Sequence, residues 1–484
     1  MILNDQRMME EIAVVGSGPS GYSTYLALKA RYGSSAHITL IDSNLRKSEN
    51  ESVQKFSAQK LKFDSAHMFE TDKVQIDFEN EVRNFTLANG GLSTVWGAGI
   101  RLWDEQDLNL TGVSSQRIYD AAQFILSKLE YSGSNATINL PLKYKLESKG
   151  LPKGHKPVTQ LKSIVNTEQL SVFTPGYLID VTDGGCVGCG ECLSGCPYGA
   201  IFDSGNIFDQ EILKRETTLI VGIVNRLEQD HDSVNIEVIR EGNLVVTHKF
   251  SRVYLAAGAL GTPFILLKSG LISDSIYVQD SQVFYFAGIS FFHSRRKGDP
   301  RFALGNSGLK GTTKSGIEFS ASVYECTKET RLRLQNSLRL PFTKKHTIFP
   351  KILDRFLFFG IGFLDSKQSG QLRIDLQNGV PRVRSINRTS KQGKSMAVVF
   401  YLSKKLFRRG MFVIWPVVQT PPTGSGFHSG AGLKLNSVHV DERGRLRVAD
   451  RIVVSDTSLL PFVKPGSHTF VSMCLNAALI LEKT

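Results

Sequence analysis

The sequence predicts a two-domain protein of mixed α/β (α+β) class, in which a parallel-sheet domain is interrupted by an antiparallel-sheet domain. The chain has 484 residues, which is too many for one ordinary hydrophobic core. An apolar strand, a glycine turn and a helix pattern follow one another near residue 11, and alternating apolar residues fill the middle of the chain. The first pattern favours a parallel sheet with helices, and the second favours a separate antiparallel sheet.

The first of these units has the pattern of a Rossmann-like dinucleotide-binding fold. After the strand Glu11–Val15 come three glycines with the spacing G-x-G-x-x-G, namely Gly16, Gly18 and Gly21. They permit a tight turn, the approach of a pyrophosphate to the helix N-terminus, and close packing of helix on strand. The next strand, His37–Ile41, ends in Asp42, about 20 residues further on, where a carboxylate binds a ribose. The unit therefore predicts one dinucleotide site, and no second fingerprint supports a separate nicotinamide site.

Two further glycine-rich segments fit the same domain. Asn89–Gly99 contains Gly90, Gly91 and Ser93, which let the backbone lie flat against a ligand, although the segment taken alone could be a mere loop. Val253–Pro263 has the pattern of a buried strand running into a helix at Gly258. The alternating residues from Thr218 to Phe250 predict an antiparallel meander between these two segments.

The C-terminal region has a glycine-flanked histidine, His428, then a strand pattern ending in Asp456, and a second histidine, His468, before a final helix. This order resembles the glucose-methanol-choline (GMC) oxidoreductase family. The loop at Gly90 and Gly91 and the segment at Gly258 also resemble elements of that family, so the resemblance covers both ends of the chain and the 250s.

The resemblance implies bound FAD and oxidation of an alcohol carbon. No histidine between Arg83 and Trp103 offers an attachment site, so we expect the FAD to be noncovalently bound. The resemblance makes His428 the general base and His468 its partner, over the flavin ring. An imidazole with a pKa near 6.5 can accept the hydroxyl proton at neutral pH as hydride leaves carbon. The resemblance also implies that Asp456 helps to position the flavin pyrophosphate or ribityl region, while a plain helix N-cap is the alternative.

The predicted domain organisation is discontinuous. The FAD-binding domain is assembled from residues 1–45, 86–110, 205–275 and 421–484. The substrate-binding domain takes residues 276–420, with strand patterns at Gln282–Phe286 and Gly316–Val323. Residues 180–204 form a cysteine-rich, iron–sulfur-type insert.

That insert contains four of the six cysteines, spaced C-x2-C-x2-C-x3-C-P: Cys186, Cys189, Cys192 and Cys196. The spacing is that of bacterial ferredoxins and predicts an iron–sulfur cluster. A 4Fe-4S cluster would use Cys196 or the remote Cys326 or Cys474 as its fourth ligand, whereas a 3Fe-4S cluster would need only the first three cysteines. A zinc ion or a purely structural loop are the alternatives.

The charge balance bears on partners and location. The chain has 58 basic and 45 acidic residues, a net charge of +13, which favours an anionic substrate, an acidic electron-transfer partner or a membrane surface. The basic residues are scattered and no nucleic-acid motif accompanies them, so nucleic acid is not expected. The chain shows no signal peptide or membrane-spanning run, and we expect a cytoplasmic protein with peripheral membrane contact.

Basic residues beside apolar ones predict where such a contact would lie. Two groups stand out: Lys344, Lys345, Lys351 and Arg355 before Phe356–Leu364, and Lys404, Lys405, Arg408 and Arg409 around Leu406 and Phe407. They would form a basic, apolar face for an anionic lipid. The alternative is core-facing amphipathic elements with solvated charges.

The predicted reaction is hydride transfer from a CH–OH group to FAD, with electrons leaving through the cluster to an external acceptor protein or quinone. Expected substrates are a sugar, a polyol or a lipid-linked sugar alcohol. The alternatives are a long-chain alcohol or sterol oxidase without a cluster, an electron-transfer flavo-iron–sulfur subunit, and an inactive scaffold.

Overall fold

The computed structural model describes residues 9–44, 76–78, 85–94, 96–129, 170–173, 176–180, 185–190, 192, 196–291, 304–305, 307–325, 356–386, 392–408, 410–465 and 468–482. The helices among these residues are α1 (Pro19–Tyr32), α2 (Glu105–Asn109), α3 (Ser115–Lys128), α4 (Ser204–Leu213), α5 (Gly258–Lys268), α6 (Gln392–Phe407) and α7 (His468–Leu481). Short 3-10 helices lie at Gly33–Ser35, Gly91–Thr94, Glu241–Asn243, Ser366–Gln368, Trp415–Val417 and Thr457–Leu459.

The strands of the first half are β1 (Glu10–Val15), β2 (Ala36–Asp42), β3 (Asp77–Phe78), β4 (Gly99–Ile100), β5 (Leu170–Phe173), β6 (Gly176–Tyr177), β7 (Thr218–Val221), β8 (Ile223–Gln229), β9 (Val234–Ile239), β10 (Val245–Phe250) and β11 (Arg252–Leu255). Those of the second half are β12 (Ile276–Asp280), β13 (Val283–Ser290), β14 (Ser307–Thr312), β15 (Glu318–Glu325), β16 (Leu357–Leu364), β17 (Gln371–Gln377), β18 (Val380–Ile386), β19 (Met411–Val413), β20 (Ser429–Gly430), β21 (Arg445–Leu446) and β22 (Ala449–Val454).

The first sheet has the predicted parallel arrangement. Its order is β21-β22-β11-β1-β2-β7, and every neighbouring pair except β21 with β22 is parallel. β1 pairs with β2 so that Ile12 lies opposite Ile38, and with β11 so that Ile12 lies opposite Arg252. The apolar residues of β1 are buried, as expected for a strand covered on both faces. This sheet with α1 confirms the predicted Rossmann-like unit.

The predicted meander is also present, as the antiparallel sheet β10-β9-β8. Buried residues alternate along β9, with Val234, Ile236 and Val238 packed into the core. This sheet follows β7 directly and leads back into β11, so it forms an excursion between two strands of the parallel sheet.

Two further sheets consist mainly of strands from the second half of the chain, and each has one edge strand from the first half. One has the order β20-β12-β17-β18-β3, and the other is antiparallel with the order β19-β13-β16-β15-β14-β5. The strands predicted at Gln282–Phe286 and Gly316–Val323 are β13 and β15, which both belong to the second of these sheets. We call this sheet the antiparallel wall.

Hydrophobic residues form two main cores. The larger joins the parallel sheet, α1, α5 and α7 to Ile276, Val278 and Ile374 of the five-stranded sheet. The smaller lies between the antiparallel wall and α6, around Phe284, Phe286 and Leu402. Among the described residues, no helix combines the length and hydropathy that a membrane span requires.

Candidate active site

A cavity of about 510 Å³ brings together segments from both ends of the chain. One part is lined by the glycine turn before α1, by Asp42 and by the Ala257–Gly258 turn before α5. Another part is lined by Tyr285 and Phe363 of the antiparallel wall and by the two histidines. The cavity therefore joins the predicted nucleotide site to the predicted catalytic residues.

The three glycines before α1 have different surroundings. Gly16 has φ +103°, and a Cβ there would lie 2.6 Å from the carbonyl oxygen of Ala256. A Cβ at Gly21 would lie 1.9 Å from the carbonyl oxygen of Gly16, so any side chain would separate helix from strand. Gly18 is open: the nearest atom to its added Cβ is the Gly90 carbonyl oxygen at 4.0 Å. Gly16 and Gly21 allow close packing, while Gly18 leaves room for a ligand at the N-terminus of α1.

Asp42 lies at the end of β2 and lines the cavity. Its carboxylate accepts hydrogen bonds from the backbone N–H of Ser17, at 2.8 Å, and of Asn44, at 2.7 Å. Burial raises the pKa of this carboxyl group. Each oxygen keeps capacity for another donor, which suits the hydroxyls of a ribose.

The segment with Gly90, Gly91 and Ser93 lies directly over the glycine turn. The N–H of Gly90 donates to the Ser17 hydroxyl at 2.7 Å, and a Cβ at Gly91 would lie 3.4 Å from the Cα of Gly18. The buried Ser93 hydroxyl donates to the Gly90 carbonyl at 2.6 Å. Gly91 and Ser93 line the cavity, and Ser93 also holds the loop closed.

The sequence analysis missed two residues that support this loop. Ser204 donates to the carbonyl of Ser17 at 2.7 Å, and Asp203 accepts from Ser93 at 3.2 Å while capping α4 through the N–H of Gly205. An Asp-Ser-Gly sequence before a helix pattern is an N-cap signal that could have identified Asp203.

Asp456 is buried and serves as a cap. Its carboxylate accepts from the N–H of Gly258 at 2.9 Å, the hydroxyl of Thr262 at 2.5 Å and the N–H of Ser458 at 2.8 Å. Burial raises its pKa. Asp456 itself does not line the cavity, whereas Gly258 and Thr457 do. Its carboxylate thus fixes the turn at Gly258, and the structure places the carboxylate behind the cavity wall.

His428 and His468 lie side by side in the cavity wall, with ring centroids 4.5 Å apart. His428 belongs to the loop before β20, and its ring stacks on Phe363 of β16 at 4.0 Å with an interplanar angle of 21°. His468 is the first residue of α7. The loop before β20 and the N-terminus of α7 thus meet at one point, and Phe363 sets the plane of the His428 ring.

Both imidazoles are neutral over a wide pH range. Burial, together with the neighbouring His468, holds the pKa of His428 well below its usual value, and burial lowers the pKa of His468 to about 4. The Nδ1 atoms of both rings are buried and have no hydrogen-bond partner among the described residues. Both rings line the cavity, and a neutral imidazole that faces a cavity can accept a proton from a hydroxyl group or hydrogen-bond it.

A buried carboxyl group, Asp280, supports the loop that carries His428. It accepts from the N–H of Gly424 at 2.7 Å and from the hydroxyl of Ser429 at 3.4 Å. The N–H of Ser281 donates to the His428 carbonyl at 2.9 Å. No local pattern marks Asp280, because its partners come from a distant loop.

The cavity also contains a cation that sequence reasoning missed. Arg101 lies against β5 of the antiparallel wall, with its guanidinium 4.3 Å from the centroid of the Phe173 ring. Burial lowers its pKa, against the opposing effect of Asp104. Asp104 itself pairs with Lys310. The Arg101 guanidinium donates no hydrogen bond to any residue that the structure describes, so its N–H groups are available to a ligand.

The four cysteines of the insert do not form a metal site in the described residues, where no three His, Cys, Asp or Glu side chains are grouped to hold an ion. Cys192 is buried and Cys189 is exposed, so these two side chains lie in different environments. Cys474 is buried in the larger core, apart from the insert, and Cys326 lies outside the described residues. The predicted iron–sulfur cluster and the zinc alternative therefore have no support in the geometry.

The insert nevertheless lies close to the cavity. Cys186, Cys192 and Cys196 pack with Tyr177 and Leu304 in a third, small core. Tyr177 and Leu304 also line the cavity. These three cysteines therefore lie behind the part of the cavity wall that Tyr177 and Leu304 form.

Comparison with known proteins places the fold. No protein-family model matches the chain, and no curated protein matches it in sequence. Solved structures do match, among them pyridoxine 4-oxidase from Mesorbium loti, with a TM-score of 0.57 and 13% sequence identity. The match covers 97% of this chain and 98% of that one, so the two proteins share their fold over nearly their whole length.

Proposed function

We propose that this protein is an FAD-dependent oxidoreductase that oxidises a CH–OH group by hydride transfer to the flavin, as its resemblance to the GMC family implies. The observation that carries the proposal is the pair His428 and His468. They are buried, neutral and lacking Nδ1 partners among the described residues, in the same cavity as the glycine turn. The fold shared with pyridoxine 4-oxidase supports the same proposal.

The residues of the cavity fit FAD. The open position at Gly18 and the helix N-terminus suit a pyrophosphate, and Asp42 has acceptor capacity for a ribose. Gly91 and Gly258 line the path from this end towards the histidines. When bound, FAD would supply the two-electron acceptor of the reaction.

The side chains of this chain would handle the proton and the substrate oxygen. His428 accepts the hydroxyl proton, because Phe363 holds its ring in place and its depressed pKa keeps the ring unprotonated at neutral pH. His468 hydrogen-bonds the same oxygen and stabilises its developing negative charge. The alcohol carbon loses a hydride and a carbonyl forms, so the electrons and the proton leave by separate routes.

For the substrate we propose a sugar, a polyol or a lipid-linked sugar alcohol, with a long-chain alcohol or sterol as the alternative. Arg101 favours a substrate that also has an acidic group, since a desolvated guanidinium with unused donors suits a carboxylate or phosphate. An acidic polyol would place its alcohol at His428 and its anionic end at Arg101.

The decisive experiment is anaerobic reduction of the purified flavoprotein by a panel of alcohols, followed at the flavin absorbance band. The wild type should be reduced by at least one acidic or lipid-linked polyol. His428→Ala should retain FAD but lose about 10² to 10⁴ in the reduction rate, the usual contribution of a general base. Unchanged reduction in that variant would disprove the base assignment, and absence of bound FAD in the wild type would disprove the class.

The route of the electrons after the flavin is a separate matter. An iron–sulfur cluster at Cys186, Cys189, Cys192 and Cys196 remains a prediction from their spacing alone, and the proposed reaction does not depend on it. Iron and sulfide assays of anaerobically purified protein would decide it. Without iron, an external acceptor protein, a quinone or oxygen would take the electrons from the flavin directly.

The remaining expectations also stay proposals. These are the cytoplasmic location, the absence of nucleic-acid partners and the division into an FAD-binding domain, a substrate domain and a cysteine-rich insert. An electron-transfer subunit or an inactive scaffold would require that no alcohol reduce the flavin. The pair of buried imidazoles favours a catalytic protein over both.

A further inference from the structure

One surface of the antiparallel wall exposes an unusual number of large apolar rings. We call it the aromatic–basic patch: Phe291, Phe400, Phe407, Phe412 and Trp415, with Lys404 and Arg408. The exposed fraction is 63% for Phe291, 61% for Phe407, 51% for Phe400, 41% for Trp415 and 37% for Phe412. Single exposed apolar residues are ordinary, but a contiguous exposed group marks an interaction site.

The rings of the patch contact one another and form a continuous surface. Phe412 meets Phe291 and Phe407 edge to face, with centroids 5.3 and 5.0 Å apart, and Phe400 lies 6.2 Å from Trp415. A groove between Phe407, Phe412 and Trp415 is also lined by Lys404 and Arg408.

The exposed rings of α6 do not mean that this helix lacks contacts with the rest of the protein. The opposite face of α6 is fully buried, because Val398, Val399, Leu402 and Leu406 belong to the smaller core. α6 thus presents apolar residues to the protein on one face and to the solvent on the other. One face of α6 therefore packs against a core, and the outer face is both basic and apolar.

Charge distinguishes between possible partners. Residues 376–440 contain ten Lys and Arg residues and no Asp or Glu. The ammonium group of Lys404 lies 4.2 Å from the centroid of the Phe400 ring, so cations and rings share one surface. A second copy of the chain, docked about a two-fold axis, would place like charges against each other. The partner must therefore be anionic and accept apolar rings.

We propose that the aromatic–basic patch docks on the surface of an anionic lipid bilayer. Aromatic rings insert at the boundary between headgroups and acyl chains, while lysine and arginine reach back to acidic headgroups. Burial of the aromatic rings and attraction of the cations to acidic headgroups would both favour binding, and an anionic bilayer offers both interactions.

The docked protein would hold its cavity close to the bilayer. β13 lines the cavity at Val283 and Tyr285, and Phe291 directly follows the end of this strand. Phe291 lies six positions beyond Tyr285, which at the rise of a strand is about 20 Å. β19, which carries Phe412, pairs with the same end of β13. This inference stands independently of the reaction proposed above.

The test is co-sedimentation of the full-length FAD-loaded protein with vesicles. We expect binding to vesicles of equal parts phosphatidylcholine and phosphatidylglycerol, and at least tenfold weaker binding to phosphatidylcholine alone. Lys404→Glu/Arg408→Glu should weaken binding to the anionic vesicles at least tenfold, since each basic residue near such a surface contributes substantially. Its control is Lys214→Glu/Lys249→Glu, which changes the net charge equally at exposed lysines outside the patch and should leave binding unchanged.

A separate variant tests the contribution of the aromatic rings of the patch. Phe407→Ser should weaken binding several-fold, and Leu213→Ser, at an 82% exposed residue of α4, should not. Equal binding to both vesicle types, no binding to anionic vesicles, or equal effects of patch and control variants would overturn the proposal. So would dimerisation in solution, seen by analytical ultracentrifugation, that is lost in Phe407→Ser, because a second copy would then cover the patch.

Discussion

The carboxylate of Asp280 accepts a 2.7 Å hydrogen bond from the backbone N–H of Gly424, four residues before His428. The same carboxylate accepts from Ser429, the residue after His428. Asp280 therefore contacts the loop that carries His428 on both sides of this proposed base while remaining outside the cavity. In the proposed reaction Asp280 would be a positioning residue, with an effect that passes through His428.

Removing the Asp280 carboxylate should slow catalysis without weakening substrate binding. Asp280→Ala leaves the N–H of Gly424 without its partner and frees the loop, so we expect about a tenfold lower rate of alcohol-driven flavin reduction at saturating substrate. Asp280→Asn keeps an acceptor and should restore most of the rate. A change confined to the substrate concentration needed for half-maximal rate would contradict the positioning role.

Asp280 should also give the protein an unusual pH dependence of stability. Burial raises its pKa to about 7, so the folded protein retains a proton that the unfolded chain releases near pH 4. The contribution of Asp280 to the free energy of unfolding therefore falls as pH rises from about 4 to about 7, at about 1.4 kcal/mol per pH unit. The free energy of unfolding by urea, measured for the wild type and Asp280→Asn between pH 4 and pH 7, checks this prediction, because the variant has no carboxyl group at position 280 to titrate. Parallel stability curves for the two proteins would refute it.

The depressed pKa values of the two histidines predict activity in mildly acidic solution. His468 has a pKa of about 4 and that of His428 is also well below its usual range, so both rings remain neutral as pH falls from 7 to 5. The rate constant for flavin reduction by alcohol should stay nearly constant over that interval and fall as pH approaches 4. An inflection near 6.5 that persists in Asp280→Asn would show that the rings titrate as ordinary surface histidines.

The close contact at Gly21 predicts a strict requirement for glycine. A Cβ in Gly21→Ala would meet the backbone carbonyl of Gly16 at 1.9 Å, so helix and strand must separate. We expect at least tenfold weaker FAD binding, measured by fluorescence titration of the apoprotein. Gly393→Ala is the matched control, because no described atom lies within 4 Å of its Cβ, and it should bind FAD as the wild type does. Equal affinity in both variants would count against the glycine turn as the pyrophosphate site.

Arg101 predicts a charge preference among substrates. Arg101→Gln should raise the concentration of an acidic alcohol needed for half-maximal flavin reduction by tenfold or more, since a charge-assisted hydrogen bond is lost. The rate at saturation should change little, because Arg101 contacts the antiparallel wall rather than the histidines. A neutral polyol serves as the control substrate, and an equal loss for both substrates would assign Arg101 a structural role.

A partly buried ion cluster beside α7 predicts a stability defect. Lys464, four residues before His468, pairs with Asp107 at 2.8 Å and Glu318 at 2.9 Å, and lies 3.9 Å from Asp365. Lys464→Met would leave the buried Asp365 and the largely buried Asp107 without their cation, while Glu318 is 47% exposed, so we expect a cost of about 2 kcal/mol in the free energy of unfolding. Lys214→Met, at a lysine 65% exposed, should change it by less than about 0.5 kcal/mol. Urea unfolding distinguishes the two, and equal small effects would contradict the role of the cluster.

The sequence predicted those parts of the site that local patterns determine. The glycine turn, Asp42 and the strands around them follow from spacing and strand patterns within one supersecondary unit, and they lie where they were expected. His428 and His468 were recognised by resemblance, and the structure brings their rings together.

Residues that act through long-range pairing could not be predicted in this way. Asp280 and Gly424 are 144 positions apart, and nothing near either residue indicates the other. Arg101 lies in the cavity because the segment after β4 passes the end of β5, which depends on the order of strands in the antiparallel wall. The cysteine spacing shows that a specific local pattern can also mislead, since it did not produce a metal-binding group in the described residues.

The parallel sheet combines strands that are far apart in sequence, and this bears on how fast the protein folds. The hydroxyl of Thr24 in α1 meets that of Ser455 at 2.7 Å, and α7 packs against α1. β11 likewise pairs with β22, about 200 residues further along the chain. A long loop must close before such contacts form, and contacts between distant residues slow folding. We therefore expect the packing around the glycine turn to be completed late in folding, after β22 has joined the sheet.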